Sequence, residues 1–173
     1  MNELIIVCGI PGSGKSTYIN EHYDKNKYNI ISRDKIRFSK LKDGENYFAH
    51  ENEVWREFID SARLLLKEGK NVVMDATHLN RSARAKVLNA LNGYITEDTV
   101  VTALAIEVDV DTAIERNEQR EGLAYVHPDI IESMYRSYST PSATEDFNVI
   151  KIIKNDTRFE NNPMKEFITK REV

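Results

Sequence analysis

The chain has 173 residues, 40% hydrophobic and 30% charged, with 7 glycines, 4 prolines and a formal net charge of −4. That length fits one domain, taken as 1–173, and the composition excludes disordered and fibrous classes. The mild acidity argues against a general basic coat for nucleic acid but leaves local patches open, and the single cysteine, Cys8, rules out an internal disulfide.

In chain order, residues 3–8 (ELIIVC) form a continuous apolar run of strand length followed by glycines, the pattern of a buried parallel strand. Cys8 in that run reads as a buried, inert thiol. A helix begins at residues 15–23, and a short strand over 28–31 is followed by SRDKIRFS, a turn entering a short helix. In ENEVWREFIDSARLLLKEGK, Val54, Phe58, Ala62 and Leu65 recur three or four apart, giving an amphipathic helix that ends at Gly69. NVVMDAT (71–77) predicts a third strand and SARAKVLNAL a helix after it. TVVTALAIEV (99–108) predicts a fourth strand, with Thr112 and Glu115 as a capping box for the helix that follows. Pro128 suits the first turn of PDIIESMYRSY, and FNVIKII (147–153) is the last predicted strand. The stretch after Lys154 has no assigned element. No basic-then-apolar leader opens the chain, and no apolar run approaches the roughly 20 residues of a membrane span, so the expectation is a cytoplasmic protein with no membrane partner. Alternating strands and helices predict an α/β fold, a parallel sheet of about five strands covered on both faces, with ligands at the carboxyl ends of the strands.

Residues 9–16, GIPGSGKS, match G-x-x-x-x-G-K-S between a strand and a helix, the context that makes the motif a phosphate-binding loop. Gly9, Gly12 and Gly14 let the backbone bend so that successive N–H groups of the loop, which includes Ser13 as a nucleotide-binding residue, surround phosphate oxygens at the positive end of a helix. Lys15 would bridge the β- and γ-phosphates, Ser16 offers a hydroxyl to Mg²⁺, and Thr17 is placed for the α-phosphate. The implied cofactors are ATP and Mg²⁺. A switch GTPase would need N-K-x-D, but Asn26-Lys27 is followed by Tyr28 and Asn29. The signature loops of transport and AAA-type ATPases are not seen, and a small kinase remains.

A kinase must position and deprotonate an acceptor hydroxyl. Asp34, just after the second strand, suits the proton acceptor, and Arg37 shares its helix face and suits an acceptor phosphate. Spacing alone equally allows Ser32 or Asp34 to cap the helix with Arg37 solvated. Asp75, ending the third strand, suits a water-mediated Mg²⁺ ligand or a plain strand-end turn.

At these residues the sequence resembles the polynucleotide 5′-hydroxyl kinases of phage and bacterial type, within the adenylate-kinase-like and zeta-toxin-like group of P-loop kinases. The resemblance runs from Leu4 to about Tyr138 and rests on GIPGSGKST, on Arg33, Asp34 and Arg37, on DATHLN (75–80) and on the stretch from ERNEQREG to DIIESMY. It implies a single-domain P-loop kinase with a helical lid that transfers the γ-phosphoryl of ATP to the 5′-hydroxyl end of DNA or RNA. It makes Asp34 the general base, Arg37 the contact to the acceptor's 3′-side phosphate and Arg120 the lid arginine over the transferring phosphoryl. Two departures stand out: Ala76 occupies the position where some members carry the aspartate, and Glu121 displaces the lid glycine to Gly122.

Local charge agrees with a nucleic-acid 5′ end as partner. Residues 32–42 hold Arg33, Lys35, Arg37, Lys40 and Lys42 against Asp34 alone, and 80–86 add Arg81, Arg84 and Lys86. An ordinary solvated face is the plain alternative. Tyr47, Phe48 and His50 suit either base stacking or core packing. DVDT (109–112) looks like a phosphatase nucleophile motif but is better explained as a strand end with a helix cap, and the four histidines lack metal-ligand spacing. The rival reading is a small-molecule kinase of the same fold acting on a nucleoside, sugar nucleotide or sugar.

Overall fold

The computed structural model describes residues 1–155 and 165–170. Its strands are β1 (Asn2–Cys8), β2 (Tyr28–Ser32), β3 (Asn71–Asp75), β4 (Thr99–Glu107), β5 (Val149–Lys154) and β6 (Lys165–Lys170). Its α-helices are α1 (Lys15–His22), α2 (Arg33–Lys40), α3 (Glu51–Lys67), α4 (Arg81–Ala90), α5 (Val110–Glu118) and α6 (Pro128–Ser137). The six strands form one sheet in the order β2-β3-β1-β4-β5-β6, parallel from β2 to β5. The sixth strand, antiparallel to β5, lies in the stretch the sequence left unassigned and takes the sheet past the expected five.

The pleat of β1 explains the layering. Leu4, Ile6 and Cys8 face one way, onto Phe58, Ala62 and Leu66 of α3 and Val87 of α4, while Ile5 and Val7 face the other, onto Tyr18 and Ile19 of α1. Both faces are therefore covered, which is why the strand reads as an unbroken apolar run. Cys8 is fully buried and burial pushes its thiol up to about 12, so it is an inert core residue.

Helix ends obey local chemistry. Ser32 caps α2 by accepting from the Lys35 N–H, and Asn80 caps α4 by accepting from Ala83, so α4 starts at Arg81. The Thr112/Glu115 capping box is not formed. Asp109 caps α5 instead: its carboxylate accepts from both the N–H and the hydroxyl of Thr112 at 2.9 and 2.7 Å. A carboxylate at the residue before α5 outcompetes a hydroxyl three residues later because it satisfies two donors and faces the positive helix end. Pro128 occupies the first turn of α6, as expected. Among the described residues, no helix is long and apolar enough to cross a membrane.

Candidate active site

The turn between β1 and α1 is shaped by its neighbours. Gly12 sits at φ +82°, and a Cβ there would lie 2.4 Å from the Ala113 carbonyl oxygen; at Gly9 it would lie 2.5 Å from that of Ile106. Only glycine lets the loop lie this close to α5 and β4. Behind the loop, the Gly9 N–H donates to the Thr77 carbonyl at 2.9 Å, tying it to the end of β3. Next to Thr77, His78 is buried, holds φ at +39° and donates from Nδ1 to the Val7 carbonyl at 2.5 Å. Outside the loop, the Asn155 amide donates to the Ser13 carbonyl at 2.9 Å, and the Arg116 guanidinium spans the Gly12, Ser13 and Asn155 carbonyls. No sequence motif announces Arg116, Asn155 or His78 in these roles.

The interior of the loop is suited to an anion. The Ser13 hydroxyl is buried with no partner among the described residues, and α1, with Gly14 as its N-cap residue, has no side-chain cap and no acid in its first turn. The first N–H groups of α1 are thus left for a ligand. Lys15 folds back so that Nζ donates to the Gly9 and Ile10 carbonyls at 2.9 Å each. Burial lowers its pKa, against the pull of Asp75 and Asp34. Ser16 and Asp75 share a hydrogen bond, which sets a hydroxyl and a carboxylate oxygen side by side, hard donors of the kind magnesium takes. Burial raises the pKa of Asp75, and the Lys15 charge opposes the rise.

One cleft of about 650 Å³ opens over these groups. Its walls carry Lys15, Ser16, Thr17, Asp34, Arg37, Asp75 and Arg120, so the structure gathers residues from four separate stretches of chain. The lid wall runs from Arg120 through Tyr125 and His127 to Ile130 and Met134 of α6. It is anchored by Asn117, whose side chain accepts from the Val126 N–H at 2.9 Å and donates to the Val126 carbonyl at 2.5 Å.

The acceptor side is more closely wired than the sequence indicates. Arg37 is 5% exposed, and its guanidinium already holds Glu51 through Nε and Nη2, with Nη2 at 2.9 Å. Its Nη1 donates to Asp34 at 2.5 Å and to the Tyr47 hydroxyl at 2.9 Å. Arg33 pairs with the same Glu51. In this state the Arg37 guanidinium is paired, so an acceptor phosphate would have to exchange with Glu51. Glu51 gave no signal in the sequence because an acid in the first turn of a helix is ordinary.

The basic rim is also thinner than the residue count. Arg84 is fully buried: it pairs with Glu145 at 2.7 Å and reaches the His78 and Ser139 carbonyls, clamping α4 to the segment before β5. Arg81 is engaged by Thr144, Lys40 by Glu57 and Lys86 by the Trp55 ring, while Lys35 lines the cleft. Tyr47 and Phe48 line the same cleft rather than the core, and His50 pairs with Glu45. Among the described residues, no cluster of His, Cys, Asp and Glu could hold a metal by itself.

A family model described as an AAA domain, AAA_33, matches residues 4–141. The chain is 28% identical over 151 residues to a protein of Autographa californica nuclear polyhedrosis virus named as a bifunctional polynucleotide kinase/RNA ligase, covering 79% of this chain and 21% of that one. A solved chain of the Pnkp1/Rnl/Hen1 complex superposes with a TM-score of 0.52 at 26% identity, over 66% of this chain and 38% of that chain. A gluconokinase from Sinorhizobium meliloti 1021 shares the fold with a TM-score of 0.57 at 18% identity, over 91% and 83% of the two chains. The chain thus spans about one fifth of the curated relative and well under half of the Pnkp1/Rnl/Hen1 chain it matches.

Proposed function

The chain belongs to the AAA domain family AAA_33, whose match covers residues 4–141, and from that membership we propose that it is an ATP-dependent kinase that phosphorylates the 5′-hydroxyl end of DNA or RNA. The observation that carries the reading is the one cleft whose walls carry Lys15, Ser16 and Thr17 together with Asp34 and Arg120. A phosphoryl donor site, a carboxylate and a cation around one space are the parts that phosphoryl transfer requires. Likeness to the viral polynucleotide kinase/RNA ligase supports the choice of acceptor.

In this reading, Gly9, Gly12, Ser13 and Gly14 present N–H groups to the phosphate chain, and Lys15 leaves the Gly9 and Ile10 carbonyls to take the β- and γ-phosphates. Thr17 meets the α-phosphate. Ser16 and Asp75 hold magnesium, which when bound neutralises charge on the phosphate oxygens. Asp34 takes the proton of the acceptor hydroxyl, and Arg120 closes from the lid onto the transferring phosphoryl group. Arg37 meets the acceptor's 3′-side phosphate by exchanging its bond to Glu51.

One observation favours the small-molecule alternative: the Arg37 fork is filled by Glu51, Asp34 and Tyr47, an arrangement that also suits an acceptor without a phosphate. The gluconokinase likeness concerns the fold alone. Steady-state transfer to a nucleoside 3′-monophosphate and to the free nucleoside separates the two. The polynucleotide reading expects the 3′-phosphate to raise kcat/KM by at least tenfold, or about 1.4 kcal/mol of transition-state binding. Equal or better use of the free nucleoside, or of a sugar, overturns it.

A further inference from the structure

Resting on the kinase reading of this cleft, we propose that Tyr47 is the positioning residue of the proton acceptor, locking the Asp34 carboxylate so that only one of its oxygens is offered to the substrate. The Tyr47 hydroxyl donates to Asp34 Oδ1 at 2.6 Å, and Arg37 Nη1 donates to the same oxygen at 2.5 Å. The triangle closes because Arg37 Nη1 also donates to the tyrosine oxygen at 2.9 Å. Two donors on Oδ1 fix the carboxylate's rotation, and Oδ2 is the oxygen left for the acceptor. Asp34 keeps 57% of its side-chain surface exposed toward the cleft, so this oxygen is reachable.

Tyr47 is itself held on several sides. The Arg37 guanidinium lies 4.4 Å from the ring centroid, and Phe48 and Phe38 meet the ring edge-on at 4.8 and 6.3 Å. Its backbone belongs to a turn in which the Asn46 side chain accepts from the Phe48 N–H at 2.9 Å and the Asn46 carbonyl accepts from Ala49 at 2.9 Å. Burial raises the phenol's pKa, and the bond to Asp34 adds to it, so the hydroxyl remains a donor. Loop 41–50, which carries Tyr47 between α2 and α3, is therefore part of the catalytic apparatus rather than a connector.

The acceptor O–H bond breaks and its proton passes to Asp34 Oδ2, while the freed oxygen pair forms the new bond to the γ-phosphorus. The bond between that phosphorus and the β–γ bridging oxygen breaks, ADP leaves with the electron pair, and Oδ2 returns its proton to solvent. A carboxylate free to rotate spends part of its time with the wrong oxygen or lone pair presented, and misplacement on this scale costs about 10- to 100-fold in rate.

Tyr47→Phe keeps the ring and its packing and deletes only the hydroxyl. Transfer from ATP is measured for wild type, Tyr47→Phe, Asp34→Asn and the double variant, on whichever acceptor of a panel of 5′-hydroxyl oligonucleotides, nucleosides and sugars the wild type uses best. The expected result is a kcat about 10- to 100-fold lower in Tyr47→Phe with KM for ATP unchanged. In the Asp34→Asn background the same change should cost less than about twofold, because a residue acting through Asp34 has nothing left to position. Wild-type kcat in Tyr47→Phe, an equal loss in both backgrounds, or a loss confined to ATP affinity overturns the proposal. If the wild type uses a sugar but no oligonucleotide, the choice of acceptor fails while the Tyr47 comparison still decides this claim. If it phosphorylates nothing, both readings fall.

Discussion

Replacing His78 with asparagine removes a titration that the fold opposes. His78 is 4% exposed and stacked beside the Phe58 ring, and burial lowers its pKa from 6.5 to about 4, assisted by the nearby cations Arg33, Arg84 and Lys15. Its Nδ1 donates to the Val7 carbonyl, and Nε2 is buried without a partner among the described residues, so a second proton has nowhere favourable to point. The unfolded chain takes up that proton as pH falls through 6.5, whereas the folded chain does so only near 4. The neutral ring's contribution is therefore complete above pH 6.5 and lost as pH falls toward 4. At 1.36 kcal/mol per pKa unit the whole loss is about 3 kcal/mol, of which about 2 kcal/mol has gone by pH 5. For a chain of this size that corresponds to about 4 to 8 °C in Tm. The assay is thermal unfolding of wild type and His78→Asn at closely spaced pH values from 7.5 to 5. Asparagine tolerates the left-handed φ of +39° at this position, so the variant retains the turn. The wild-type Tm should fall with pH by that much more than the variant's; parallel curves refute the argument.

Three further outcomes follow from the same geometry. Asp34→Asn should bind ATP normally and lose roughly 10² to 10⁴ in transfer rate, read by single-turnover kinetics against nucleotide titration; unchanged turnover removes Asp34 from the mechanism. Arg120→Ala should lower the transfer rate more than ATP affinity, and equal losses in both contradict a role confined to the transition state. Arg84→Met should cost about 3–5 kcal/mol in denaturant unfolding by removing the guanidinium that pairs with the buried Glu145 carboxylate, and adding Glu145→Leu should recover most of the loss. Burial works against the Glu145 charge, but the hydrogen bonds from Arg84 and the Ser142 N–H prevail and hold its carboxyl below the usual range. That part of the stability is present above the unfolded glutamate value and is lost as pH falls below it.

What the sequence made legible follows from how local each signal is. The loop Gly9–Ser16 is read from consecutive residues because the strand, the turn and the helix that make it work are adjacent in the chain. The apolar runs of β1, β3 and β4 are equally local, since a strand buried on both faces needs no partner to be recognised. Long-range pairing was not legible. Arg84 reads as a surface cation until Glu145, 61 residues away, is brought beside it. Arg37 reads from spacing as an acceptor-phosphate contact or a solvated helix residue, and its pairing with Glu51, 14 residues away, and Tyr47 gives no local signal. Asp109 displaced the Thr112 box because the carboxylate's position immediately before α5, not the spacing of the motif, decides which group faces the first turn of α5. The antiparallel β6 had no signal, because an edge strand with polar residues lacks the apolar run of its neighbours.

In the proposed reaction the cleft between the phosphate loop and Asp34 moves the γ-phosphoryl of ATP onto a 5′-hydroxyl. The most direct measurement incubates the protein with γ-labelled ATP, magnesium and a 5′-hydroxyl oligonucleotide, with a 5′-phosphorylated copy of the same strand as control, and locates the label. The expected result is label on the 5′ end of the hydroxyl strand, none on the blocked strand, and its loss in Asp34→Asn. Label found only in inorganic phosphate or in a small-molecule acceptor contradicts it.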